Sequence, residues 1–289
     1  MTAAIEGRRR SLNDIPAGVS SAVGGLIGVV ILFVAWWLAA EFMYPETHAI
    51  PTPWKTLGKY FSADDWDHLI NTFKPTISAA LWGFLYGDLA AFALAIIVLQ
   101  LPWLKEVANQ IAVITYCLPP VALGPIIVLI AGPDSPQAAP IIIAALAPFF
   151  TTVVGCLVGL NAASKTTLDV VTAYGGGWVR KLTKVRLISA MPNVFAALQI
   201  AAPAAFLGAV LAEFVGGGVD ASVGKQLILA QQLGNYPSVW WLALTSAAVA
   251  GLGYALVGLL ARIVTAWAQG LGMDIRTILK ADPARAGQS

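Results

Sequence analysis

The sequence predicts an all-α polytopic membrane protein with six transmembrane helices and one polar loop built to face water. Composition, apolar run length and charge placement carry that prediction. Of the 289 residues, 58% are hydrophobic and only 11% are charged; a soluble domain carries roughly 25% charged residues, and a soluble fold this apolar could not cover its surface. Runs near the roughly 20 residues needed to cross a bilayer recur at 22–43, 76–99, 107–130, 139–160, 194–215 and 239–267. Lysine and arginine then collect in alternate connections between these runs.

Residues 1–21 form a tail with Arg8, Arg9 and Arg10. The apolar run that follows is longer than the roughly 7–15 residues of a signal-peptide core, so it is expected to stay as the first span. The membrane domain is expected to cover 22–267, with its polar loop at 161–192 and a second tail at 268–289. No other stretch is long enough for a further soluble domain. The chain is therefore expected to carry no nucleotide-binding or catalytic domain.

After the first span, 51–73 reads as an amphipathic stretch at the membrane surface. Trp54, Leu57, Tyr60, Phe61 and Trp66 supply an apolar face, and Asp64, Asp65 and Asp67 supply charge. Aromatic residues favour that depth. The stretch is either an interfacial anchor or a platform touched by a partner. The second span carries Asp88 near its middle. A carboxyl there costs at least about 2.5–3.5 kcal/mol on insertion scales, so it is expected to face a polar cavity or a partner, to be protonated, or to hydrogen-bond to a neighbouring helix or a second subunit.

The third span is interrupted by Pro119, Pro120 and Pro125. Proline removes a backbone donor, and inside a membrane the freed groups must be satisfied by neighbours or a cavity. A broken helix lining a path and a simple packing kink are both open. Tyr116, Pro119, Pro120 and, on the fifth span, Gln199 are the candidate path residues, together with Asp88 and Glu213. Glu213 lies near the end of the fifth span, where an interfacial charge is the plainer expectation. Gly24 and Gly28, Gly83 and Gly87, and Gly155 and Gly159 stand four apart within spans. Such pairs let helices approach closely.

Arg8–Arg10, Lys105, Lys165, Arg180, Lys181, Lys184, Arg186, Arg262, Arg276, Lys280 and Arg285 fall on one side of a six-span topology. Only Lys55, Lys59, Lys74 and Lys225 fall on the other, beside several acidic residues. The basic side is the cytoplasmic one, which places both termini and the 161–192 loop there. The net charge of +2 gives no reason to expect a nucleic-acid partner; the bilayer is the partner that composition requires. His48 and His68 are the only histidines, and Cys117 and Cys156 lie in apolar runs, where two small buried side chains are expected. No catalytic group and no metal site are expected.

The stretch DVVTAYGGGWVRKLTKVRLISAMP at 169–192 is the most informative in the chain. Residues 166–174 suit a short helix. Gly175, Gly176 and Gly177 break it, since glycine is costly inside a helix and permits a sharp turn. Residues 178–186 restart a basic helix, and Pro192 is expected to open the fifth span. The three glycines are either a fixed turn or a flexible hinge.

This segment resembles the "EAA" signature of permease subunits of bacterial ABC importers: Glu-Ala-Ala, three residues, Gly, nine residues, Ile, one residue, Leu-Pro. Asp169, Val170 and Val171 stand at the first three positions, Gly175 at the glycine, Val185 at Ile and Leu187 at Leu. Ile188 replaces the proline, and Pro192 matches a second proline of the family. Ile50-Pro51-Thr52-Pro53, Asn71-Thr72-Phe73, the run LPPVALGP at 118–125 and Ala212-Glu213-Phe214 are similar to the nitrate/sulfonate/taurine-type branch. Residues 218–224 lack that branch's "GLG" ending, and Asp88 departs from its second span.

The resemblance implies a transmembrane subunit of the bacterial inner membrane that works by alternating access. Its loop would dock on a separate cytoplasmic ATPase, which binds ATP and Mg while this chain binds no cofactor. Asp169 and Ala173 would lie on the docking face with Tyr174, Gly175 and Gly176 at the turn, and Trp178 and Arg180 flanking it. A second permease copy, as a homodimer, and an extracytoplasmic solute-binding protein are the other implied partners. The implied substrate is a small anion or organosulfur compound such as a sulfonate, taurine or nitrate. A gradient-driven secondary transporter or channel using Asp88 is the alternative.

Overall fold

The computed structural model describes residues 17–43 and 49–268. Arg8–Arg10, His48 and the tail from 269 onward lie outside the described residues. Among these there is no strand. The elements are α1 (Ala17–Phe42), α2 (Pro53–Gly58), α3 (Ala63–Gln100), α4 (Lys105–Cys117), α5 (Pro120–Ala131), α6 (Ala138–Asn161), α7 (Lys165–Ala173), α8 (Trp178–Lys181), α9 (Leu187–Phe214), α10 (Val223–Gln232) and α11 (Tyr236–Ala268). Five helical stretches are long and apolar enough to cross a membrane, and a bent pair, α4 with α5, makes up to six.

The bend between α4 and α5 is 91°. Leu118 and Pro119 are both extended there. Each precedes a proline, and the residue before proline is pushed out of the helical region. Pro120 then opens α5 at its first turn, where a missing N–H does no harm. Ala108 and Ala112 of α4 pack in one cluster with Ala91, Ala95, Leu160, Leu182 and Ala190, at the end of the bundle where α6 stops and α9 starts. In α5, Gly124 approaches Val215, beyond the other end of α9. The pair thus enters at one end of the bundle and leaves at the other, as one broken span.

Two boundaries differ from the sequence expectation. The second span does not start at residue 76. α3 is 38 residues long, begins at Ala63 and runs through Pro75. The cause is a continuous buried face: Leu69, Phe73 and Ala80 join a core with Phe206, Trp241 and Leu242, and the Phe73 and Phe206 rings stack at 6.4 Å. Only Pro53–Gly58 and the short turn after it remain as separate surface helices. The fifth span does not begin at Pro192 either. Helix continues from Trp178 to Phe214 through a π-helical turn at Leu182–Arg186, with Pro192 inside α9. Leu182 and Val185 are buried, and Arg186 Nη1 donates to the Leu160 carbonyl at 2.9 Å. Both anchor this segment to the end of α6.

α3, α6 and α9 form the packed centre. A Cβ on Gly83 or Gly87 would run into Ala144 or Ala145 of α6, and one on Gly155 or Gly159 into Ala197 or Ala190 of α9. These two pairs close helix contacts as expected. Gly24 and Gly28 do not; neither has an atom within 4 Å of where a Cβ would stand. α1 joins the rest near its far end, through Phe33 against Trp54, Trp36 stacked on Trp240 and Trp36 Nε1 donating to the Pro51 carbonyl. Cys156 is buried as expected, but Cys117 is exposed, because α4 ends there at the bend.

Candidate functional site: the polar loop and the broken span

The polar loop is a fixed turn between two helices. Ser164 caps α7 by accepting from the Thr167 N–H at 3.1 Å. At the other end Gly175 has φ +74°. Its N–H donates to the Thr172 carbonyl at 2.9 Å, and the Gly176 N–H donates to the Val171 carbonyl at 2.7 Å. This pair of bonds is the Schellman closure, in which the left-handed residue is usually glycine. A Cβ on Gly176 would collide with Val171, so both glycines are required for different reasons. Gly177 is extended and opens α8.

Asp169, Ala173, Tyr174, Gly175, Trp178 and Arg180 are all exposed on this element, while Gly176 is buried beneath them. Asp169 and Ala173 stand four apart on one helix face. Tyr174 is 84% exposed, and Val170 and Val179 also face outward. Val179 was not singled out in the sequence; its signal was an apolar residue between a tryptophan and two basic residues. The loop therefore presents apolar side chains and charge on a rigid surface, a composition suited to a protein partner.

The path candidates separate into two groups. Tyr116 is exposed and its ring lies 5.4 Å from that of Phe150. With Thr115, Leu118, Pro120, Leu123 and Ile143 it lines a cavity of about 190 Å³ at the bend. Pro119 is exposed at the bend itself. Gln199 is not among the lining residues of that cavity. Its side-chain amide fills the space left by Gly258 of α11, so the structure does not bring it to Tyr116.

The two carboxyl groups fasten helices. Asp88 is buried and accepts from Thr152 Oγ1 at 2.6 Å, joining α3 to α6. Glu213, in the last turn of α9, is fully buried. Its Oε2 accepts from Thr76 Oγ1 at 2.9 Å and from the Gly224 N–H at 3.1 Å. α10 folds back over the last turn of α9 and closes it off from the surroundings. Among the described residues no group of three or more His, Cys, Asp or Glu is placed to hold a metal.

The family profile for the binding-protein-dependent transport system inner membrane component matches residues 87–269. The chain belongs to this family. It is thereby a subunit of the ABC transporter permease family, multi-pass in the inner membrane, and the matched region runs from the Asp88 contact through the polar loop to α11. The riboflavin transport system permease protein RibX of Chloroflexus aurantiacus is 25% identical over 250 residues, covering 85% of this chain and 90% of the relative. A probable ABC transporter permease protein of Haemophilus influenzae is 28% identical over 193 residues, 66% of this chain and 76% of the relative. The putative aliphatic sulfonates transport permease protein SsuC of Bacillus subtilis is 23% identical over 251 residues, 84% and 87%. Permeases of this family work in general with an ATPase and a binding protein.

Proposed function

We propose that this permease forms the translocation pathway of an ATP-driven importer and moves its substrate by alternating access. The observation that carries the reading is the closed helix–turn–helix of Lys165–Lys181, whose second helix runs unbroken into the fifth span. A push on a flexible loop is lost in the loop. A push on this one reaches α9 directly, and α6 through Arg186. Asp169, Ala173, Tyr174, Trp178 and Arg180 meet a separate cytoplasmic ATPase, and Gly175 and Gly176 hold the turn. ATP and Mg act in that partner. A second copy of this chain completes the pathway, a solute-binding protein delivers the substrate at the opposite face, and both termini lie on the cytoplasmic side.

Tyr116, Pro119 and Pro120 lie on the pathway, while Asp88, Gln199 and Glu213 hold the bundle. The gradient-driven alternative needs Asp88 open to the path, and its bond to Thr152 supports the structural role instead. The substrate we propose is a small anion or organosulfur compound. The likeness to the putative aliphatic sulfonates transport permease SsuC supports that class.

The test is co-purification of the tagged chain with the ATPase encoded beside it, in mild detergent. Wild type is expected to bring the ATPase down. Gly175→Pro and Asp169→Lys are expected to insert normally and lose it. No association with the wild-type chain would sink the importer reading.

A further inference from the structure

α10 is held by side chains that are not its own. Ser222 occupies its N-cap position in extended backbone but makes no capping bond. The first donors of α10 go elsewhere: the Val223 N–H donates to Thr76 Oγ1 at 3.1 Å, and the Gly224 N–H to Glu213 Oε2. Thr76 in turn donates to the same carboxyl oxygen. One residue of α3 and one of α9 therefore supply the cap that a local serine would ordinarily give. A locally capped helix keeps its order wherever it sits. This one keeps it only while α3 and α9 hold their relative positions.

The joint is tight. Gly224 has no room for a Cβ against Phe214, Glu213 and the Val210 carbonyl, and at Gly218, with φ +77°, a Cβ would stand 2.8 Å from Glu213 Cγ. The far end of α10 is open. Leu233 is 73% exposed, beside a hollow of about 150 Å³ bordered by Lys59, His68, Gln226 and Asn235. Leucine side chains beside polar ones are the mixed composition of a protein-contact surface, and this surface lies at the end of the bundle opposite the α7–α8 turn.

We propose that Glu213 is a positioning residue: with Thr76 it clasps helix α10, whose C-terminal end is exposed, to spans two and five, so that docking of the solute-binding protein on that end of α10 is felt by the transmembrane bundle. The proposal rests on the importer reading above and adds a residue-level coupling element to it. Force on α10 cannot move its N-terminus without shifting Thr76 against Glu213, and those two side chains sit on helices of the packed centre.

The test uses the assembled complex of this chain with its ATPase in lipid nanodiscs, with ATP hydrolysis measured alone and with increasing substrate-loaded binding protein. Thr76→Val is expected to assemble and hydrolyse ATP at the wild-type basal rate, while stimulation by the binding protein falls roughly tenfold, the scale of one hydrogen bond. Thr76→Ser keeps the hydroxyl and is expected to retain stimulation. Full stimulation in Thr76→Val overturns the proposal. So does loss of stimulation in Thr76→Ser as complete as in Thr76→Val, and so does loss of assembly or basal hydrolysis together with stimulation in Thr76→Val, which would make the clasp merely structural. A wild-type chain that assembles with no ATPase would instead refute the importer reading beneath it.

Discussion

Asp88 accepts a 2.6 Å hydrogen bond from the Thr152 hydroxyl across the contact between α3 and α6, 64 residues apart in sequence. The bond explains how a carboxyl group is tolerated at mid-span. Its other oxygen, Oδ2, is buried with no protein partner, so the site is only half satisfied. Thr152→Val removes the one donor and is expected to destabilise the chain by about 1–2 kcal/mol. Asp88→Asn retains an acceptor for Thr152 and is expected to fold and transport. Thermal unfolding in detergent and uptake into liposomes check the two variants. Uptake abolished in a well-folded Asp88→Asn protein would show that the carboxyl acts on the transported species.

The closed turn makes a sharper demand on Gly176 than its exposed neighbours suggest. Gly176→Ala places a methyl group against Val171 and is expected to open the Schellman closure. Association with the ATPase should weaken by roughly tenfold, the effect of about 1.4 kcal/mol, with membrane insertion unchanged. Gly177→Ala meets nothing within 4 Å and should bind as wild type. A titration of ATPase against the immobilised permease measures both. Equal binding by all three proteins would mean that the loop is a tether.

Glycine pairs that look alike in sequence are expected to respond differently. Gly155→Leu must displace Ala197 and should cost about 1–3 kcal/mol by overpacking. Gly24→Leu enters open space and should leave the stability of the single chain unchanged. Unfolding in detergent under conditions that keep the chain monomeric decides between them.

Arg186 ties the start of the fifth span to the end of the fourth through the Leu160 carbonyl. Arg186→Gln is expected to lower coupled uptake several-fold while leaving ATPase association intact, because α7 and α8 are untouched. Uptake per ATP hydrolysed is the informative ratio. A variant that lost ATPase binding instead would place Arg186 on the docking surface.

Tyr116 and Pro120 share the cavity at the bend. Tyr116→Ala is expected to change the substrate concentration for half-maximal uptake by more than it changes basal ATP hydrolysis. Parallel uptake assays with a sulfonate and with riboflavin would show which class the cavity favours.

Much of this protein was legible in its sequence because lipid imposes few solutions. Runs of the right length had to be helices, since each backbone group in hydrocarbon must be satisfied within its own segment. The break at Pro119 and Pro120 and the turn at Gly175 followed from backbone restrictions that act within a few residues. The spacing from Asp169 through Gly175 to Leu187 marked the loop that the family match later covered. Tertiary structure decided what depended on a second helix. α3 runs through Pro75 because Phe73 finds Phe206, and the fifth span starts early because Leu182 and Val185 are buried. The same holds for the carboxyl groups. Nothing local to Asp88 or Glu213 states whether it faces a path or a partner. Thr152 and Thr76 lie 64 and 137 residues away in sequence, and hydrogen bonds over such distances are fixed only when the helices pack.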